Sequence, residues 1–318
     1  MKLGIFLPIS GRAAGRATLT EAARKAEALG FDSVWTADRI VIPWEITTRY
    51  DYSADQKFIV PPDRPFLEPL TCLAFLAGCT ERIRLGMSVL VLPYRPPLYS
   101  AKVATTIDHL SHGRLILGVG IGWMVEEFEA LGVPFQDRAG ISDEQIRIFK
   151  LLWGEERPEF EGRHYRFSGI AFYPKSHQKP RIPLWIGGEG VRAQRRAAAH
   201  GDAWFPYFVR ITPQELAARF ANVRRFAAEA GRNPEEIRLA CCLPIEVRQD
   251  STPREEGRLI GSPDQLIEGL QRFQGIGVEH VALQFMAPRW PERLEQIERF
   301  AREVMPALRG ADNSRTDP

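Results

Sequence analysis

Two runs of sequence decide the fold: Arg84-Leu85-Gly86-Met87-Ser88-Val89-Leu90-Val91-Leu92 and Leu115-Ile116-Leu117-Gly118-Val119-Gly120. Both are short and aliphatic, as strands of a parallel sheet are, and the stretch between them closes on Asp108-His109-Leu110-Ser111-His112-Gly113-Arg114, a helix end. Together they make one strand–helix–strand unit. The same rhythm extends in both directions, with further strand candidates at Leu3–Pro8, Ser33–Thr36, Leu184–Gly187, Ala203–Pro206, Arg238–Glu246 and Val278–Phe285. Eight βα units with no linker between them predict an α/β fold of the (β/α)8 TIM-barrel type. The expected domain is a single one over residues 1–309, followed by a flexible tail at 310–318.

Three helix starts carry a hydroxyl residue three positions before Glu or Gln: Ser142-Asp143-Glu144-Gln145, Thr212-Pro213-Gln214-Glu215 and Ser262-Pro263-Asp264-Gln265. The stripes Leu216, Phe220, Val223 and Leu266, Leu270, Phe273 then give each of the last two helices one apolar face for an outer ring. Three stretches exceed a minimal barrel, at about residues 39–66, 155–183 and 249–261. The first is rich in Pro and aromatic residues, the second contains a hairpin-like run from Glu159 to Phe167, and the third is polar. The first and third follow strands, on the face where barrel sites form, and are lid candidates.

Composition narrows the ligand. The 318 residues carry 42 Lys+Arg against 40 Asp+Glu, a net charge of +2, and the two signs are interspersed, so no basic field points to nucleic acid. No apolar run is long enough to span a membrane, and Met1–Phe6 reads as a strand with no signal-peptide segment; a cytoplasmic protein with a small-molecule substrate is expected. Four Cys in no redox or zinc spacing and six scattered His give no metal site. His280 shares register with Val278, Ala282 and Gln284, and is expected as a core histidine.

Glycines mark two candidate sites. Leu184-Trp185-Ile186-Gly187-Gly188-Glu189-Gly190 runs into a helical window at Val191–His200, an arrangement that either binds phosphate at the helix end or makes a tight turn. Gly188-x-Gly190-x-x-Ala193 also fits a relaxed dinucleotide fingerprint, but the next strand lacks the acidic ribose partner. Gly118-Val119-Gly120-Ile121-Gly122-Trp123 ends another strand, where a flat ligand approaches the backbone or a helix packs closely. Asp38-Arg39, followed by Pro43-Trp44, end the second strand as ligand groups or as a surface ion pair.

In this order these motifs resemble the luciferase-like monooxygenase superfamily, and within it the oxidoreductases that use the deazaflavin coenzyme F420. The likeness rests on Phe31-Asp32-Ser33-Val34-Trp35-x-x-Asp38, Met87–Pro93, Ala104–Arg114, Gly118–Trp123 and Pro183-x-Trp185-Ile186-Gly187-Gly188. It implies a barrel, usually homodimeric, with a non-proline cis peptide at a bulge at Ser88-Val89 behind the cofactor ring. It further implies Asp38, Val91, Ile121 and Gly122 at the ring and ribityl chain, and Gly187, Gly188, Gly190 and Val191 at the phosphate. Sugar-phosphate dehydrogenases of that branch carry His after the Asp and Glu after the third glycine. Here those positions hold Arg39 and Trp123, so that acid–base pair is missing. The expected catalytic residues are Arg39, Trp123 and Glu126, with Trp44 shaping the substrate pocket, and Glu126 and Glu127 are otherwise read as solvated helix positions. The expected activity is hydride transfer between F420 and a small organic substrate. The alternatives are an FMN-dependent monooxygenase served by a partner reductase, and a non-catalytic flavin-binding protein.

Overall fold

A computed structural model describes residues 1–53, 55–207, 211–249 and 259–310. The strands are β1 Lys2–Phe6, β2 Ser33–Thr36, β3 Arg84–Val91, β4 Leu115–Gly120, β5 Phe160–Glu161, β6 Arg166–Phe167, β7 Leu184–Gly187, β8 Ala203–Phe205, β9 Arg238–Val247, β10 Leu259–Gly261 and β11 Val278–Phe285. The helices are α1 Arg16–Ala28, α2 Pro69–Ala77, α3 Pro97–Leu110, α4 Val125–Ala130, α5 Arg138–Gly154, α6 Val191–His200, α7 Pro213–Glu229, α8 Pro263–Gly275, α9 Trp290–Glu303 and α10 Met305–Gly310. The main sheet runs β10-β9-β11-β1-β2-β3-β4-β7-β8 and closes through a β8–β9 pair, giving an eight-stranded parallel (β/α)8 barrel with β10 added at β9. All eight strands expected from the aliphatic runs are present, within a residue or two at their ends.

Contacts divide the chain into two compact units: residues 1–8, 20–35 and 185–318 form one, and 9–19 with 36–184 the other. The first holds β1, β2 and β7 to β11. Parallel strands covered on both sides bury nearly every side chain, and β2 is buried at all of Ser33–Thr36. Around it Trp35, Trp185, Phe205 and His280 pack ring to ring, with centroids 4.9–5.6 Å apart. A polar seam among them is Ser33 Oγ, which accepts Trp35 Nε1 at 2.7 Å and lies 2.7 Å from His280 Nε2. His280 is thus the expected core histidine. Gly4 makes room for the seam, since a side chain there would meet Ser33 Oγ at 2.1 Å.

The expected capping boxes open α7 at Thr212 and α8 at Ser262, each with reciprocal side-chain and backbone bonds and Pro at the first turn. A box of this kind is worth about 1 kcal/mol. Ser142 does not cap a helix. The chain is already helical from Arg138, and the Ser142 hydroxyl donates back to the Arg138 carbonyl at 2.7 Å inside α5. Of the polar stretch 249–261, its end is β10; residues 250–258, and the expected tail from 311 on, lie outside the described residues.

The second unit holds β3 and β4, α2 to α5 and the two long insertions. Residues 39–66 are tied at their far end by a Ser10–Phe66 bridge and by Gly11 N–H to Pro65 O and Leu67 N–H to Ile9 O, both 2.9 Å. The expected hairpin in 155–183 is the antiparallel pair β5–β6. Around it Glu144 of α5 accepts the amides of Arg163, His164 and Tyr165, and Asp108 of α3 accepts those of His177 and Gln178.

Candidate active site

In the second unit the polar groups gather from the β3 bulge and from α4. β3 pairs with β4 through a register shift between Met87 and Leu90, and the Ser88–Val89 peptide inside it is cis, as the resemblance implies. Beyond the bulge, Val91 N–H turns to Asp38, donating to Oδ2 at 2.9 Å. A short helical turn later, Arg95 grips the same carboxylate with both terminal nitrogens, at 2.7 and 2.8 Å, and reaches Glu68 Oε1 at 2.9 Å. Asp38 and Glu68 flank the 39–66 insertion, so one guanidinium ties both of its ends. Burial works against the Arg95 charge, but Asp38 and then Glu68 more than offset it and raise its pKa. Asp38 was expected to hold the cofactor directly. Its oxygens accept Val91 N–H and the Arg95 guanidinium in a buried ion pair.

α4 supplies two adjacent carboxylates with different tasks. Glu127 is fully buried: Oε1 accepts Ile40 N–H at 2.8 Å and Val41 N–H at 3.3 Å, while Oε2 accepts Tyr94 O–H at 2.8 Å and lies 3.2 Å from Arg39 Nη1. Burial pushes the Glu127 carboxyl up, against the pull of Arg39 and the amide and hydroxyl donors. Burial together with the neighbouring Glu127 likewise raises the Tyr94 phenol. Glu126 Oε1 accepts Thr47 N–H, Thr47 O–H and Thr48 N–H at 2.7–2.9 Å, and Oε2 accepts Thr48 O–H at 2.8 Å. Burial opposes the charge here also, but the Thr47 hydroxyl, its own amide and the remaining Thr donors outweigh it and hold Glu126 at about 2. The expectation of solvated helix positions is therefore corrected for both residues. Glu126, expected as a catalytic residue, has its two oxygens on four donors from Thr47 and Thr48 and so anchors the loop.

Arg39 lies between these anchors. Its guanidinium carbon is 4.8 Å from the Phe58 ring centroid and 4.9 Å from that of Trp123, within cation–π range of each. Tyr50 packs on both rings, at 4.8 Å from Trp123 and 5.5 Å from Phe58. Arg39 and Trp123 are therefore in contact. Trp44 does not join them and is 80% exposed. The glycines at the end of β4 are explained by packing within the unit: a Cβ on Gly120 would meet Val89 Cγ2 at 2.6 Å, and one on Gly122, at φ +80°, would meet Val91 and Phe128 at 2.7 Å. Ile121, between them, is half-buried.

In the other unit, β7 ends at Gly187 and α6 begins at Val191 with Gly190 as its N-cap, lacking any side-chain cap. Gly188 has φ +96°, a conformation L-residues avoid, and a Cβ there would meet Ala193 Cβ at 2.9 Å. Its carbonyl accepts Trp204 Nε1 at 2.9 Å. The turn thus leaves the first amides of α6 without a side-chain acceptor, and Val191 is 56% exposed.

Sequence reasoning missed Arg95, Glu68, Tyr94, Phe58, Tyr50 and the buried role of Glu127. The Arg95 and Glu127 contacts join residues 27 to 87 positions apart and follow no local spacing. Only the aromatic richness of 39–66 pointed toward Tyr50 and Phe58.

The profile of the luciferase-like monooxygenase family matches residues 1–258. An uncharacterized protein of Mycobacterium tuberculosis is 31% identical over 291 residues, covering 89% of this chain and 93% of that one. A phthiodiolone/phenolphthiodiolone dimycocerosates ketoreductase of Mycobacterium bovis is 30% identical over 236 residues, covering 73% of this chain and 61% of its own. Among solved structures, the chain is similar to an F420-dependent secondary alcohol dehydrogenase in complex with an F420–acetone adduct, with TM-score 0.78, 19% identity and coverage of 96% and 98%. It is similar to a monooxygenase from Streptomyces bottropensis with TM-score 0.77, 22% identity and coverage of 97% and 100%. The shared fold thus spans both chemistries. With its profile matched over most of its length and a relative above 30% identity across 89% of it, the chain belongs to the luciferase-like monooxygenase family.

Proposed function

We propose that the protein is an oxidoreductase that transfers hydride between the deazaflavin F420 and a small organic substrate. The observation that carries the reading is Ser88. Its side chain sits in the β3 bulge, 2% exposed, and its hydroxyl has no hydrogen-bond partner. Buried hydroxyls in native proteins are nearly always paired, so an unmet one beside a bulge points to a ligand group that completes it. Ser88 and Val89 would then back the ring, with Val91, Ile121 and Gly122 lining it and Asp38 fixing the bulge through Val91 and Arg95. Taken by themselves, Gly187, Gly188, Gly190 and Val191 of the other unit present uncapped helix amides of the kind that suit a phosphate group. When bound, the deazaflavin supplies the hydride chemistry, and the protein contributes positioning and polarity. The Arg39 guanidinium would orient the substrate through its N–H groups, and Trp123 would wall it.

The 30% identity to the ketoreductase supports hydride transfer. Titration of the purified protein with F420 and with FMN, followed by absorbance, tests the reading. Tight binding of F420 with weaker binding of FMN is expected. Preference for FMN, with oxygen consumed when reduced FMN is supplied, would replace it by the monooxygenase alternative.

A further inference from the structure

We infer that Arg39 receives a neutral carbonyl oxygen, so that the substrate class is ketones and other uncharged carbonyl compounds with a flat apolar body, and carboxylic acids are refused. The inference deepens the proposed function and rests on its placing of the substrate at Arg39.

The geometry of the guanidinium is the starting point. Both described hydrogen-bonding contacts of Arg39 run from Nη1, to the Asp38 carbonyl at 3.3 Å and to Glu127 Oε2 at 3.2 Å. Nε is buried without any partner, and no acceptor faces Nη2 among the described residues. One whole edge of the fork is therefore unpaired, on a side chain only 6% exposed. An unmet donor on a buried cation is costly, and a ligand oxygen relieves it.

Charge then selects the oxygen. The Arg39 charge is answered by Glu127, and the Arg95 charge by Asp38 and Glu68. Glu126, held at about 2, adds a further negative charge on α4. Each of these two buried cations is already matched by a carboxylate, and a ligand carboxylate brought to Arg39 would meet the charge of Glu127 as well. A ketone oxygen accepts the same N–H groups and adds no charge. The walls select the body: Phe58 and Trp123 cover the guanidinium and Tyr50 packs on both, so the group attached to the carbonyl meets flat rings.

The test is a ligand-detected NMR titration of the full chain with acetophenone and, separately, with benzoate, on wild type and two variants. Arg39→Lys keeps a cation for Glu127 and removes the free edge. The double variant Arg39→Met with Glu127→Gln removes both charges together, so that neither is left buried alone. Melting curves establish that each variant is folded. Saturable acetophenone binding is expected in wild type, with benzoate at least about tenfold weaker, and a loss of about tenfold in acetophenone affinity is expected in either folded variant. Absence of acetophenone binding in wild type, preference for benzoate, or unchanged acetophenone affinity in a folded variant would overturn the inference. Neither titration uses a cofactor, so a failed F420 titration and a failed acetophenone titration are separate results.

Discussion

The two long insertions of the second unit, 39–66 and 155–183, are held by the same device and put to different use. In each, carboxylates on neighbouring helices accept backbone amides: Glu126 and Glu127 for the first, Asp108 and Glu144 for the second. In 155–183 amides are the main partners of those carboxylates, and the side chains add Gln178, which donates to Asp108 Oδ1 at 2.7 Å. In 39–66 two buried arginines enter the same network, and one of them keeps an edge unpaired. Amide stapling is thus a way of ordering a long loop. A buried charge left partly unmet is what separates a loop with a task from one that only needs to be held.

The comparison is broken most strongly by Asp38→Ala, which strands Arg95 beside a single, half-exposed Glu68. A loss of about 3–5 kcal/mol in urea unfolding is expected, as for other buried pairs that lose one member. A loss under about 1 kcal/mol would mean that the first loop depends on charge no more than the second. Glu144→Ala takes acceptors from three amides and no cation, so a smaller loss of roughly 1–3 kcal/mol is expected. It should come with faster hydrogen exchange at Arg163, His164 and Tyr165, and exchange that does not change would show that the staple is redundant.

Acid sharpens the comparison next. Glu126 is lowered in the folded state from 4.5 to about 2, so its contribution is fully present above pH 4.5 and is lost as pH falls toward 2. The difference in melting temperature between wild type and Glu126→Gln should therefore be constant from pH 7 to 5 and shrink below 4.5. A difference that ignores pH would show that the Thr47 and Thr48 donors do not depend on the charge. The smallest effect belongs to Trp44→Ala. At 80% exposure, stability should stay within about 0.5 kcal/mol of wild type. A rise in KM for the substrate with kcat unchanged would return Trp44 to the pocket, and an unchanged KM would remove it.

The legible parts of this molecule are those written in adjacent residues. Aliphatic runs located every barrel strand, and Thr212 and Ser262 located their helix starts, because burial of a strand and capping of a helix both depend on neighbours in sequence. Ser142 shows the limit of that rule. Its spacing to Gln145 matches a capping box, but the chain has already turned helical at Arg138 and the hydroxyl bonds backward. The site was legible in outline only. Asp38, Arg39 and Trp123 stand out by their places at strand ends, yet Glu127 reads as an ordinary surface acid until Tyr94 and Ile40 are brought to it from 33 and 87 residues away. Arg95 has no local mark at all, since its role comes from two carboxylates at opposite ends of an insertion.

The Glu126–Glu127 pair also sets rules for rebuilding the loop. Its grip falls on the main-chain N–H groups of residues 40, 41, 47 and 48, which every amino acid except proline provides, with hydroxyls at Thr47 and Thr48 in addition. The segment between the two grips is therefore a cassette whose side chains are open to exchange. A library that varies residues 42–46, leaves out proline at the four gripped positions and keeps the two threonines would vary the loop without loosening its anchors.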